Sequence, residues 1–537
     1  VAVAAALALA GSGALAPAAT AAGRAAAGTG SLAATPSVRF VDIPGAGGVV
    51  LKGNVVVPAD GAARHPLLVM PSSWGLNDLE YLAQAEKLAA SGYVVVCYTP
   101  RGFYGSGGQI DVAGPQDVAD VSRVIDWALA HTPADPGRVG MAGVSYGAGI
   151  SLLGAAFDKR VRAVAAMSGW ADLIASLYGN ETQHLQSTGV LALAGYLTGR
   201  PGPELQSALS TFFTSDYPKE NELKEWARIR SPQTYLSRFN ANHPAVMLAN
   251  AWGDSIFPPN QITPFFEGLT GPKRLEFRPG DHATAEFGGL FGLPNDTWSD
   301  ATAWLDHYLR GVDNGVDRKP AVHLEPQLQD GYEDYANWQS VSTSALRLDL
   351  GRERWTGSGN LGPQPDTGWD TSIGTWADSG ADGGTVFLSS LAEQFLKLPP
   401  MVSVPLLPRA VSAVWQSAPY PVTERVRGTP HLHLGVTPSA SHGSLIAYLY
   451  DVDALGIGRL VTHAPYTFLD AMPGRSFDVD LDLQATAYDV PAGHHLALVV
   501  DAVDPLYITH NPSGARLVFD SPAHDPASLT VPVNEAG

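Results

Sequence analysis

The sequence predicts an α/β domain built on a mostly parallel sheet, followed by an all-β sandwich. Three observations point there. From residue 38 to about 315, short apolar runs alternate with amphipathic helical stretches, the pattern of strand–helix–strand crossovers. One strand runs directly into Gly143-Val144-Ser145-Tyr146-Gly147 and then into a small-residue helix. From about Ala321 onward the helical period fades and two-residue alternation takes over, punctuated by Pro, Gly and Asp.

The elements follow in order. Residues 1–10 are apolar, and Ala19-Thr20-Ala21 has the small-x-small form of a cleavage site. Residues 1–21 therefore read as a signal peptide of a secreted protein, truncated at its start because the basic leader is missing. The run is too short to span a bilayer, so no stable membrane insertion is expected once it is removed. Residues 22–37 read as a disordered linker. Residues 38–57 form two antiparallel strands around turn glycines, and 66–70 a short buried strand. Residues 78–91 have helical spacing, 93–98 form a buried strand, and 117–131 a helix with Val118, Val121, Val124 and Ile125 on one face. Strands at 139–144 and 161–167 follow. Residues 170–242 break the alternation and read as a helical cap over the sheet. Strands at 245–250 and 273–277 and a helix at 297–309 complete a domain spanning 38–315. Residues 316–537 form the sandwich, with strands at 346–350, 431–436, 444–452, 477–483 and 495–500 and an irregular loop at 357–384.

The 537 residues carry a formal net charge of −19, which argues against a nucleic-acid partner. Cys97 is the only cysteine; it lies inside an apolar run, and no internal disulfide is possible. Oligomeric state is not legible.

A serine between a strand and a helix, flanked by glycines, stands exposed on a sharp turn and faces the first N–H groups of the helix. Ser145 is thus a candidate nucleophile. It needs a base and an orienting acid, on loops after later strands and in the order Ser, Asp, His. Asp254, after the strand at 245–250, fits the acid. His282, after the last strand and before the closing helix, fits the base; the adjacent Asp281 is the runner-up acid. The oxyanion hole pairs the Tyr146 N–H with a donor from Pro71-Ser72-Ser73-Trp74-Gly75, Ser73 favoured and Ser72 or Trp74 as alternatives. Ser72, Trp74, Trp170 and Trp252 are candidate substrate contacts. No cofactor fingerprint is convincing. No metal site emerges either: His431 and His433 share a strand face, but neighbouring carboxylates are not evident.

The segments "GVSYGAG", "RGFYGSGG" and "ANAWGDSIF", with a histidine before the closing helix, resemble the X-Pro dipeptidyl-peptidase/cocaine esterase family of α/β-hydrolases. "TPHLHLGVTPSASHGSLIAYLYDVDALGIGRLVTH" is similar to that family's C-terminal jelly roll, itself like galactose-binding modules. The resemblance covers nearly everything after residue 38. It implies an α/β-hydrolase fold with Ser145, Asp254 and His282 as the triad, and a sandwich that shapes the cleft without catalysing. Two features depart from it. Ser72 follows Pro71 where the family often has tyrosine, and Tyr98-Thr99-Pro100 precedes Arg101 where the family has an aspartate. The stretch around Ser72 looks more like dienelactone-hydrolase-type enzymes. The expectation is a secreted serine hydrolase acting through an acyl-enzyme on a small ester or peptide, X-Pro peptidase and carboxylesterase being about level. A peptidase would bind a substrate N-terminus through a carboxylate, with Glu181, Asp172 and Asp78 as candidates. A carbohydrate- or surface-binding protein with an inactive hydrolase domain is the alternative from another class.

Overall fold

The computed structural model describes residues 35–215, 217–354 and 357–535. The expected signal peptide and residues 22–34 of the expected linker lie outside the described residues. Among the described residues, ten strands form the first sheet: β1 (Ser37–Pro44), β2 (Val50–Val57), β3 (His65–Pro71), β4 (Val94–Tyr98), β5 (Ala134–Val144), β6 (Val161–Met167), β7 (Ala245–Ala251), β8 (Lys273–Arg278), β9 (Val322–Leu324) and β10 (Glu333–Tyr335). Their order is β1-β2-β4-β3-β5-β6-β7-β8-β9-β10. The run from β4 to β9 is parallel. Every residue of β3, β4 and β7 is buried, as expected of parallel strands covered on both faces. The helices Pro115–His131 and Tyr146–Phe157 cover one face through Val121, Val124, Ile125, Ile150 and Leu153. Helices Leu82–Ala90 and Asp296–Leu305 cover the other through Ala85, Leu88, Trp298 and Trp304.

The strand order reverses between β3 and β5, because β4 lies on one side of β3 and β5 on the other. Ligand sites in such sheets form at the C-terminal strand ends beside that switch point. Ser72 to Trp74 follow β3, and Ser145 follows β5, so both border it. Between β6 and β7 the helices Leu173–Leu177, Leu185–Thr198, Pro203–Thr214, Glu220–Arg228 and Leu236–Asn242 build the cap.

The C-terminal part is an all-β sandwich. Strands Ser344–Leu350, His431–Pro438, Arg516–Ser521 and Ser528–Val533 face strands Ala413–Gln416, Gly443–Val452, Ile457–Phe468 and His495–Asp501. Leu432, Leu434, Leu449, Leu498 and Leu529 fill the space between them. Two sequence expectations need adjustment. A boundary at 315/316 cuts the first sheet, since β9 pairs with β8 and β10 with β9. The stretch 357–384 is not all loop: it holds strands Gly359–Gly362 and Trp369–Gly374. Strands this short give too few alternating positions to be read.

Candidate active site

The turn at Ser145 is strained in the way a nucleophile elbow requires. Ser145 has φ 56° and ψ −116°, a conformation L-residues avoid. Its N–H donates to the Met167 carbonyl at 2.9 Å. A Cβ on Gly147 would run into the Pro71 carbonyl, and one on Gly143 into the Gly147 backbone. The glycines are thus what lets the helix start so close to β3 and β5.

The structure brings Ser145, His282 and Asp254 into one chain. His282 Nε2 lies 2.7 Å from Ser145 Oγ. His282 Nδ1 lies 3.1 Å from each carboxylate oxygen of Asp254. Asp254 Oδ1 also accepts the N–H groups of Ile256 at 3.0 Å and Phe257 at 2.8 Å, which holds the carboxylate still. Burial works to lower the His282 pKa, but Asp254 and its hydrogen bond, helped by Asp281, outweigh it and raise the imidazole above its ordinary value. The Phe257 ring stands edge-on to the imidazole, centroids 5.1 Å apart.

Asp281 does not orient the imidazole. Its Oδ1 accepts from Ser255 N–H and O–H and from the His282 N–H, at 2.8, 2.7 and 2.6 Å. Its Oδ2 accepts the Phe387 N–H of the C-terminal part at 2.7 Å. Asp281 therefore fixes the backbone of His282 and ties it to the second domain. That role was not legible, because it rests on a residue 106 positions away.

The loop after β3 corrects the favoured oxyanion donor. The Ser73 N–H donates to Glu80 Oε2 at 2.6 Å, so it is not free. Ser72 spends both its N–H and its hydroxyl on the Tyr98 carbonyl, each at 3.0 Å. Among the described residues, the Trp74 N–H has no partner, nor does the Tyr146 N–H. Those two remain available. The sequence signal was present in Glu80, a carboxylate seven residues from Ser73 and aimed back at it.

A cavity opens beside Ser145 beneath the cap, with about 910 Å³ of empty space including its mouth. Trp74, Trp170 and Phe257 meet cap residues such as Leu191, Leu205 and Phe212 around it. Trp170 and Trp74 pack on the Tyr146 ring at 6.2 and 5.2 Å. Of the four candidate contacts, Trp74 and Trp170 line this cavity. Ser72 is buried and Trp252 lies elsewhere: its ring stacks on Phe277 of β8, and its Nε1 donates to the carbonyl of Glu325, just after β9, at 2.7 Å. No Asp or Glu is among the described lining residues. The one charged group, Lys224, is paired with Glu181 and Glu220, each at 2.6 Å. Glu181 is thus engaged; Asp172 caps the helix Leu173–Leu177, and Asp78 bonds Thr99 and Asn54. None of the three lines the cavity.

The strand face of His431 and His433 also differs from expectation. The partner strand Phe477–Asp482 sets Asp482 opposite His431 and Asp480 opposite His433, and each Nδ1 is bonded to its aspartate at 2.7 and 2.8 Å. Cross-strand pairing, invisible along the chain, supplies the carboxylates. His433, Asp478 and Asp525 lie close enough to share an ion.

Comparison with known proteins places these features. Residues 47–284 match the model of the X-Pro dipeptidyl-peptidase (S15 family). Residues 314–527 match that of the X-Pro dipeptidyl-peptidase C-terminal non-catalytic domain. A putative Xaa-Pro dipeptidyl-peptidase of Streptomyces avermitilis is 23% identical over 501 residues, covering 80% of this chain and 70% of that one. A solved α-amino acid ester hydrolase superposes with a TM-score of 0.73 at 17% identity, over 97% of this chain and 100% of that one. A CocE/NonD family hydrolase from Staphylococcus aureus gives 0.69 at 12% identity, over 94% and 97%. At those identities the structural likenesses speak to the fold alone.

Proposed function

We propose that this chain, which belongs to the X-Pro dipeptidyl-peptidase (S15) family and is a serine hydrolase of the peptidase or esterase type, cleaves esters of apolar acids through an acyl-enzyme. The apolar cavity beside Ser145 carries the choice of substrate. A dipeptidyl-peptidase has to hold a protonated substrate N-terminus, and an ammonium group taken out of water needs a counter-charge. Among the described lining residues the cavity offers none, and the only charged one is a lysine. A hydrocarbon acyl group fits such a lining without loss.

In this reading His282 Nε2 takes the proton of Ser145 Oγ as the serine attacks the ester carbonyl. Asp254 holds the Nδ1–H tautomer and stabilises the imidazolium. The carbonyl oxygen, now an oxyanion, accepts from the N–H groups of Tyr146 and Trp74. His282 returns the proton to the leaving alkoxide. It then deprotonates a water that attacks the acyl-enzyme, releasing the acid and restoring Ser145. The expected export segment at residues 1–21 makes this a secreted activity, which activity in the culture supernatant would check.

A second reading has its own support. Both matched models are named for X-Pro dipeptidyl-peptidases, so cleavage after Xaa-Pro is the competing activity. Parallel turnover of short-chain 4-nitrophenyl esters and of Ala-Pro anilides separates the two. Ester turnover far above anilide turnover is expected, with both lost in Ser145→Ala. Anilide turnover matching ester turnover would decide for the peptidase. A folded protein that does neither and takes up no fluorophosphonate would leave only a binding role.

A further inference from the structure

A second chamber lies between the two domains, with about 870 Å³ of empty space including its mouth. It shares no lining residue with the cavity beside Ser145. Asp254, Asp281 and Pro258 come from the first domain, His184 and Ser187 from the cap, and Glu393, Val461 and Leu506 from the second domain. Three carboxyl groups line it, and no Lys or Arg is among the described lining residues. Asp254 and Asp281 are engaged by the hydrogen bonds already described.

Glu393 is different. It stands on the helix Leu388–Leu396 and is 7% exposed, and its Oε1 has no hydrogen-bond partner among the described residues. Burial, against the weaker pull of Lys397 and with Asp281 adding to it, pushes its carboxyl up to about 7. The nearby imidazoles are not its counter-charge, since burial lowers His184 to about 3 and His463 to about 4. A carboxyl with a buried, unpartnered oxygen is costly to fold. A ligand that completes its hydrogen bonding removes that cost.

We propose that this chamber is a binding site for a small organic ammonium ion, its charged end on the Glu393 carboxylate and its hydrocarbon tail against Pro400, Val461 and Leu506. A divalent metal fits less well, because among the described lining residues Glu393 is the one carboxylate with an oxygen left unpartnered, and such an ion needs several ligands. The apolar part of the lining also calls for a ligand with a tail.

Calorimetric titration of the full chain with n-butylammonium chloride, with n-butanol as the uncharged control, tests the site. Saturable heat is expected with the ammonium ion and not with the alcohol. The dissociation constant should rise at least about tenfold in Glu393→Gln. That variant keeps the shape and, among the described residues, removes no side-chain hydrogen bond of Glu393 Oε1, and its ester turnover should be unchanged. Leu506→Lys, at a half-buried position, sets a fixed cation on the wall and should abolish the heat. Ala208→Phe, which fills the cavity beside Ser145, should leave the affinity within about twofold. The proposal fails if no saturable heat appears, if butanol binds as well, if Glu393→Gln and Leu506→Lys bind like wild type, or if Ala208→Phe removes the binding.

Discussion

Glu80 shows how one side chain sets the geometry of a donor it never touches. Ser73 Oγ lies 2.6 Å from Glu80 Oε1 and 2.8 Å from the Val144 carbonyl, yet a hydroxyl has one proton to give. The contacts balance if Glu80 is protonated: its O–H then donates to Ser73 Oγ, and Ser73 donates to Val144. Burial, only partly offset by the Ser73 hydrogen bonds, pushes that carboxyl up to about 7, in keeping with this. Glutamine can make the same pattern, with its NH₂ replacing the acid O–H. Glu80→Gln should therefore keep near-normal kcat. Glu80→Ala leaves the Ser73 N–H buried without a partner and loosens the loop that carries the Trp74 N–H. Its kcat should fall about 10- to 100-fold, with KM less affected, which is less than the roughly 100- to 1000-fold cost of removing an oxyanion donor outright. Equal kcat in the two variants would remove Glu80 from this role. His282 makes a second residue-scale prediction. The base must be neutral, and its pKa is raised. Activity is therefore lost as pH falls, and the acid limb of kcat/KM should have its midpoint above the ordinary imidazole value of about 6.5. A midpoint below that would contradict the Asp254 pairing.

At the scale of elements, the elbow is one object made from β3, β5 and the helix Tyr146–Phe157. Gly147→Ala would push a methyl group into the Pro71 carbonyl, a backbone atom that cannot rotate away. The cost to stability should be about 1–3 kcal/mol. Activity should fall further than that loss suggests, because Pro71 leads into the loop with the Trp74 N–H. Gly189→Ala is the control: nothing lies within 4 Å of that Cβ, and its helical site should be neutral or slightly stabilised. Melting temperatures and ester kinetics of the pair check this; full activity in Gly147→Ala would refute the close-approach argument. The elbow was legible because its demands are local: a strand, two glycines, a serine and a helix in one short stretch. Asp254 and His282 were legible because chain order and strand ends restrict them. Ser73 was misread as the donor because an N–H is free only if nothing else takes it, and Glu80 takes it from within a turn. The helix expected at 78–91 begins at Leu82 for a related reason: residues 77–81 are spent on turns that aim Asp78 and Glu80 inward. The cap could be recognised as helical and apolar, but which faces enclose the cavity depends on packing between elements.

At the scale of the whole molecule, the two domains are locked by contacts that periodicity along the chain does not report. Glu333, on the last strand of the first sheet, accepts from Arg425 at 2.6 Å and from Arg427 through two bonds of 2.8 Å. Both arginines lie on the strand Glu424–Gly428 of the second domain, and Arg427 is fully buried. The three-residue strand that carries Glu333 was not anticipated, and the distance of about ninety residues to its partners hides the pair from any local reading. Burial works to raise the Glu333 pKa, but its hydrogen bonds from Arg427 and Tyr335 win and bring it down to about 2. A carboxylate depressed in the folded state contributes stability above its unfolded pKa and loses it as pH falls through the folded value. This lock is therefore intact above about pH 4.5 and released toward pH 2. Glu333→Gln removes the charge while Asp489 still holds Arg427 at 2.8 Å, so the protein should fold. Its melting temperature at neutral pH should drop by about 2–4 °C. The difference from wild type should shrink steadily between pH 4.5 and 2, where the wild-type carboxylate is itself being protonated. A difference that stays constant across that window would mean the arginines gain nothing from the charge of Glu333, and the lock would have to lie elsewhere in the interface.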